Sequence, residues 1–167
     1  ALDSTDLAVL AFPLYVDTLP APVINLLEKI ALHRKNKSAN SHFSAIANCG
    51  FPEAHHTDNA LAICAEFARQ NGFAWQGGLA LGAGEGIVHG TPLKDLDGRA
   101  IPIKKALELA ADSLSQGKPI PQSARELMAK PIIPSWMYKL MGGFGWRQTA
   151  RQYGAQKQLR AKPYQKS

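Results

Sequence analysis

Apolar runs and helical periodicities alternate along the first 117 residues of the chain. The apolar run at residues 7–12 is too short for a helix and is followed by a proline, which predicts a strand buried on both faces. Two further apolar stretches predict strands at residues 42–48 and 73–81. Apolar positions at helical spacing predict helices over residues 23–31, 57–72 and 103–117. This alternation of strand and helix is typical of an α/β fold with a doubly wound parallel sheet.

The pattern changes at residue 118. Prolines at 119, 121, 131 and 134 interrupt the chain, with a short helix predicted over 123–129 and an apolar aromatic cluster at 136–141. Glycines at 142–145 predict a break, and a polar, basic helix is predicted over 146–159. We therefore expect an α/β domain at 1–117, followed at 118–167 by a proline-rich connection and a helical tail. The tail either covers the core or contacts a partner.

Right-handed crossovers bring the loops after the three predicted strands to one edge of the sheet, where parallel α/β folds bind ligands. These loops cover residues 13–18, 48–56 and 82–86. They offer aromatic faces, amides beside glycines, carboxylates and imidazoles, but no nucleophile, base and orienting group at a fixed spacing. The sequence therefore identifies no catalytic residue, and it favours a site for a flat, hydrogen-bonding ring over a hydrolytic site.

Individual residues in these loops have more than one interpretation. Cys49 is either a reactive thiol near a helix N-terminus or a small buried residue at the end of a strand. His55 and His56 are adjacent and lack a third ligand, so they indicate a solvated loop rather than a metal site. The glycines at 82–86 lack the GxGxxG spacing of a phosphate loop and serve either ligand contact or turn geometry. Tyr15 either faces a ligand ring or packs against neighbouring aromatic residues.

The composition and charge of the chain limit the classes of partner that we expect. The chain has 167 residues, a formal charge of +6, and basic residues concentrated at 33–37 and 147–166. Because no nucleic-acid motif accompanies them, we expect solvated surface and no nucleic-acid partner, although the positive potential favours an anionic ligand such as a nucleotide cofactor. Two cysteines are expected to be free thiols, and no metal site is predicted. Without a membrane-spanning run or signal segment, we expect a cytoplasmic protein with no membrane partner.

Three stretches, AFPLYVDTLPAP, AIANCGFPEA and GGLALGAGEGI, resemble the flavodoxin-like NAD(P)H-dependent oxidoreductases that bind FMN, a group that includes FMN reductases and quinone reductases. The resemblance covers residues 7–114. It implies a three-layer flavodoxin-like sheet, with three strands in this chain, and an FMN whose ring lies between the loops at 13–18 and 49–53. NAD(P)H would supply hydride, and the flavin would pass electrons to a small-molecule or protein acceptor. Dimers are common in that family, so the resemblance also implies a homo-oligomer.

Thirteen residues of the three loops are expected at the cofactor. The amides of Gly50 and Phe51 are the expected contacts to the polar edge of the ring. The full set is Pro13, Leu14, Tyr15, Val16, Asp17, Asn48, Cys49, Gly50, Phe51, Pro52, Glu53, Gly82 and Gly84.

The chain departs from the family in one respect. Family members carry a strand, a Ser/Thr-rich phosphate-binding loop, a helix and a second strand before the part that resembles this chain. We therefore expect the carboxyl part of a longer protein or, as the alternative, a second chain that supplies the missing half. Alone, this polypeptide is expected to bind FMN poorly, to be inactive, and to leave one apolar edge of its first strand unpaired. The rival interpretation is a non-catalytic flavodoxin-like interaction module that docks through that edge and the basic tail.

Overall fold

The computed structural model describes residues 6–35, 41–84, 86, 91–162 and 164. These residues form three strands, β1 (Leu7–Pro13), β2 (His42–Cys49) and β3 (Ala74–Gly82). Short 3₁₀ turns cover Ala54–Thr57, Leu93–Asp95, Gly98–Ala100 and Gln156–Gln158. The five α-helices of the described residues are α1 (Ala21–Arg34), α2 (Asp58–Gln70), α3 (Ile101–Ser115), α4 (Gln122–Ala129) and α5 (Ser135–Gln152).

The three strands form one parallel sheet in the order β1-β2-β3. Leu7 of β1 pairs with His42 of β2, and the register continues without a shift to the end of β1. β2 pairs with β3 with one irregularity, after which Cys49 lies opposite Gly82. The α/β class and the three-stranded parallel sheet predicted from the alternating pattern are therefore confirmed.

Helices pack on both faces of the sheet. Ala45 and Ile46, successive residues of β2, belong to two different apolar clusters, because side chains alternate between the faces of a strand. One cluster joins the strands to α1 and α2 and contains Phe12, Leu19, Leu27, Phe43, Ala45, Ala47, Ala60, Cys64, Ala68 and Phe73. The other joins the sheet to α3 and α4 and contains Leu79, Ile103, Ala106, Ala110, Ile120, Ala124 and Met128.

The outer edge of β3 is covered by the chain that leads into α4. The N–H of Ile120 donates to the carbonyl of Gln76 at 2.7 Å, so the connection itself pairs with this strand. The guanidinium of Arg125 lies against Gly77, whose φ of +98° favours glycine. The backbone of β3 at Gly77 therefore accommodates the side chain of Arg125 from α4.

The first compact unit extends from Ala1 to Ile132, which includes α4. The boundary lies beyond the one expected after residue 117. The reason is that Ala124 and Met128 are fully buried against the apolar side chains of α3. The second unit covers Ile133–Ser167.

At the other end of the sheet, β1 has β2 as its one strand neighbour among the described residues. Phe12 is buried toward α1 and α2, whereas Val9, on the opposite face of the strand, is 50% exposed. The prediction that this strand is buried on both faces is therefore wrong. Within the part of the chain that the structure describes, the other edge of β1 therefore has no strand beside it.

Helix α5 corrects the expectation for the tail. It begins at Ser135 and runs through Gly142, Gly143 and Gly145 to Gln152, so the predicted break at 142–145 is wrong. The helix predicted over 146–159 is helical as far as Gln152, but it begins 11 residues earlier and ends seven residues sooner. Glycine lowers helix propensity by about 1 kcal/mol relative to alanine but adopts helical dihedrals without a clash. None of the helices in the described part of the chain is long and apolar enough to cross a membrane.

Candidate functional site

Backbone hydrogen bonds join the three loops at the carboxyl edge of the sheet. The N–H of Leu14 donates to the carbonyl of Asn48 at 2.7 Å, which fixes the first loop beside the second. The side-chain oxygen of Asn48 accepts from the N–H of Gly84 at 3.2 Å, and the N–H of Ala83 donates to the carbonyl of Phe51 at 2.8 Å. The predicted convergence of the three loops is therefore confirmed, with Asn48 at its centre.

The first loop is a tight, strained turn. Tyr15 and Thr18 exchange two backbone hydrogen bonds, of 3.1 and 3.3 Å. Both central residues have positive φ, 53° at Val16 and 58° at Asp17. A branched Cβ disfavours this conformation, which costs on the order of 1–3 kcal/mol per residue and is found most often at functional sites. The turn presents Tyr15, 64% exposed, and Val16, 96% exposed, to solvent.

Glycines let the third loop lie directly on the second. A Cβ on Gly82 would collide with the backbone carbonyl of Pro52, and one on Gly84 would collide with the amide of Asn48. Ala83 between them is buried and has a φ of 53°. The geometry thus assigns these glycines to contact between loops, while Glu85 of the same stretch lies outside the described residues.

Cys49 is a buried, hydrogen-bonded thiol. Its Sγ lies 3.3 Å from the carbonyl of Phe51 and 3.5 Å from that of Glu53. Burial raises the pKa of the Cys49 thiol above its usual value. Of the two sequence interpretations, the structure favours the small buried residue, because a neutral thiol is a poor nucleophile. Cys64, the other cysteine, is also a buried free thiol.

The second loop carries an aromatic group that sequence reasoning missed. The ring of His56 lies 4.9 Å from that of Phe51 and stacks on His55 at 4.5 Å. Both histidines had been interpreted only as solvated residues. Both histidines lie in the 3₁₀ turn at Ala54–Thr57, which the sequence analysis did not predict. No group of three or more potential metal ligands occurs among the described residues.

The thirteen residues predicted at the cofactor differ in how far they are exposed to solvent. Cys49, Pro52, Gly82 and Gly84 are buried, and Leu14, Asn48 and Glu53 are half-buried. The exposed residues are Pro13, Tyr15, Val16, Asp17, Gly50 and Phe51.

The exposed group forms the candidate ligand surface. Phe51 is 51% exposed, and the backbone at Gly50 has open space where a side chain would lie. Together with the ring of Tyr15 on the adjoining loop, these residues offer two aromatic faces and an accessible backbone. Such a set suits a flat ring with polar edges.

Comparison with known proteins identifies no relative. The chain has no significant match among protein-family models, curated proteins or solved structures.

Proposed function

We propose that this chain is the flavin-ring-binding part of a flavodoxin-like, FMN-dependent oxidoreductase that uses NAD(P)H. The observation that carries the proposal is the hydrogen bond from Leu14 to Asn48, which holds the loop of Tyr15 beside the loop of Phe51. Each loop presents an exposed aromatic ring at the carboxyl edge of a parallel sheet, the edge at which this class of fold binds ligands.

The sheet order supports the fold assignment. In the flavodoxin-like order 2-1-3-4-5, strands 3, 4 and 5 are consecutive neighbours. The observed order β1-β2-β3 corresponds to that half of the sheet.

The residues present fit the ring of FMN. Tyr15 and Phe51 would contact its faces, and the backbone of Gly50 would approach its polar edge. When bound, FMN supplies hydride acceptance from a nicotinamide and onward electron transfer. The protein's own contribution is to fix the ring between two loops and to keep the Cys49 thiol protonated and away from the chemistry.

Binding is tested by flavin fluorescence quenching, with FMN and riboflavin titrated separately into this chain. Because the proposed contacts are to the ring, we expect the two dissociation constants to agree within about threefold. Replacement of Tyr15 or Phe51 with alanine is expected to weaken both by about threefold to tenfold, the usual effect of losing an aromatic contact. Tyr153→Ala is the matched control, since this tyrosine is 81% exposed in the second unit.

Absence of quenching at millimolar flavin would overturn the proposal, as would equal losses in Tyr153→Ala and Tyr15→Ala. Electron transfer is then tested under anaerobic conditions by adding NADH or NADPH to the chain with flavin. Faster bleaching of the flavin band than in a protein-free mixture supports an oxidoreductase, whereas unchanged bleaching supports binding alone.

The open edge of β1 favours a second candidate, a non-catalytic flavodoxin-like module that docks on a partner. The flavin titration separates the two, because a module of this kind has no reason to quench either flavin.

A further inference from the structure

The positive charge of this protein resides in its last 41 residues. Residues 1–126 contain 11 Lys and Arg and all 13 Asp and Glu, so this part is slightly acidic. Beyond Glu126 the sequence contains no acidic residue. Its eight basic residues are Lys130, Lys139, Arg147, Arg151, Lys157, Arg160, Lys162 and Lys166.

Helix α5 presents large apolar side chains to solvent on one face. Trp136, Leu140, Met141 and Phe144 follow one another at steps of four, one and three, the spacing of a single helical face. Their exposed fractions are 66%, 68%, 56% and 68%. A soluble helix normally buries such a face, so this one is suited to a further surface.

The same face becomes cationic toward the end of the helix. Arg147 and Arg151 follow Phe144 by three and seven residues, which places them on the next two turns of that face. With Phe144 and Leu159 they line an open cavity of about 770 Å³ within the second unit. Apolar side chains and guanidinium groups therefore occur side by side, an arrangement in which the former enter a lipid interface and the latter contact phosphates.

Helix α5 has little burial and several glycines in its interior. Ala150 is its one buried residue, and the helix contains Gly142, Gly143 and Gly145. Three glycines in a helix interior cost about 3 kcal/mol in total relative to alanine. A contact surface that buries the apolar face would stabilise the helix further.

We infer that α5 lies on the surface of a membrane rich in anionic phospholipids, with its apolar face in the interface and its basic residues at the headgroups. The sequence-based expectation of no membrane partner rested on the lack of a spanning run, and a helix lying in the plane of the surface needs none. Charge alone would suit a nucleic acid equally well. Four large apolar side chains on one face favour lipid, because nucleic acids offer little surface to bury them. The inference does not depend on the proposed flavin function.

The test is co-sedimentation of this chain with vesicles of phosphatidylcholine alone or mixed with phosphatidylglycerol. We expect binding to the anionic vesicles, a blue shift of tryptophan fluorescence as Trp136 enters the interface, and loss of binding as salt screens the charges. Negligible binding to phosphatidylcholine alone is also expected.

Two matched pairs of variants locate the contact. Phe144→Ser is expected to weaken binding at least tenfold, whereas Trp146→Ser, 72% exposed but on the opposite side of the helix, is expected to change it less than threefold. Arg147→Gln with Arg151→Gln removes two charges and is expected to weaken binding roughly 25-fold, at about fivefold for each charge. Lys29→Gln with Lys105→Gln removes the same charge from exposed positions elsewhere and should have little effect.

Three results would overturn the inference. One is equal binding to neutral and anionic vesicles. Another is the absence of vesicle binding together with a dimer that Phe144→Ser dissociates, which assigns the face to a second copy of the chain. The third is the absence of vesicle binding by itself, and salt-dependent binding of a random oligonucleotide would then assign the basic residues to a nucleic acid.

Discussion

The outer edge of β3 is paired with the segment that leads into α4, whereas no strand among the described residues pairs with the outer edge of β1. The two strands are otherwise alike, since both are apolar and both pair in parallel with β2. At β3, the guanidinium of Arg125 packs against Gly77. At β1, the side chain of Val9 is half exposed.

This contrast shows that an apolar sequence predicts a strand suited to burial, but it does not predict which part of the chain will cover that strand. β1 has the composition of a central strand and lies at the end of the sheet. β3 has glycines that weaken a strand. Arg125 of α4 packs against Gly77, and Leu61 of α2 packs against Gly78. The backbone groups at the outer edge of β1 have no strand partner among the described residues and are available for pairing.

The largest expected effect is on the covered side. Met128→Ala removes a side chain that is 1% exposed and is expected to lower the free energy of unfolding by about 2–5 kcal/mol, measured by urea denaturation. Val9→Ala on β1 should cost less than about 1 kcal/mol, because half of that side chain is already in water. Equal losses would show that Val9 of β1 is packed as firmly as Met128 of α4.

The pH dependence of the free energy of unfolding tests the burial of Cys64 on α2. Burial raises the pKa of the Cys64 thiol to about 11, from 9.0 in an exposed thiol. The unfolded chain therefore releases this proton first, and stability should fall by roughly 2–3 kcal/mol between pH 9 and pH 11, with no loss below pH 9. Cys64→Ala should abolish this part of the decline. An unchanged decline in that variant would show that the thiol is accessible to water.

Two glycines test how tightly the loops meet at the carboxyl edge. Gly82→Ala is expected to lower the free energy of unfolding by about 1–3 kcal/mol, because the added methyl group meets the backbone of Pro52. Gly50→Ala places the same group in open space and should leave stability within about 0.5 kcal/mol. Thermal unfolding of both variants measures the difference, and similar melting temperatures would contradict the close packing.

The smallest effect on stability is expected at the open edge. Val9→Lys should change the free energy of unfolding by less than about 0.5 kcal/mol but reduce concentration-dependent self-association, because a charge on an edge strand opposes pairing between chains. Ile63→Lys on α2 is the control, with 45% of its side chain exposed compared with 50% for Val9. Light scattering over a concentration series would contradict the prediction if both variants behaved alike.

Much of the fold was predictable because it depends on local patterns. The three strands, the helices between them and the convergence of their loops follow from apolar runs, helical spacing and the handedness of crossovers. Gly72 and Gly117, with φ of 70° and 68°, end helices as expected from their positions.

The features that escaped prediction depend on contacts distant in sequence. Ala83 adopts a positive φ although alanine does not favour it, and its N–H is bonded to the carbonyl of Phe51 in another loop. The packing of α4 on β3 requires Arg125 to meet a glycine 48 residues earlier, which no local pattern reveals. The sequence analysis did not predict that α5 continues through its glycines. Glycine's low helix propensity gives the free-energy cost of a helical glycine, but it does not decide whether the helix ends there.

The turn at Tyr15–Thr18 has a consequence for the evolution and engineering of the protein. Val16→Asn with Asp17→Gly would suit the same backbone and relieve its strain, so a more stable sequence is only two substitutions away. Keeping valine leaves an apolar side chain at the outermost point of the loop, 96% exposed, at the expense of folding energy. The turn therefore exposes an apolar side chain at a cost in stability that two substitutions would remove.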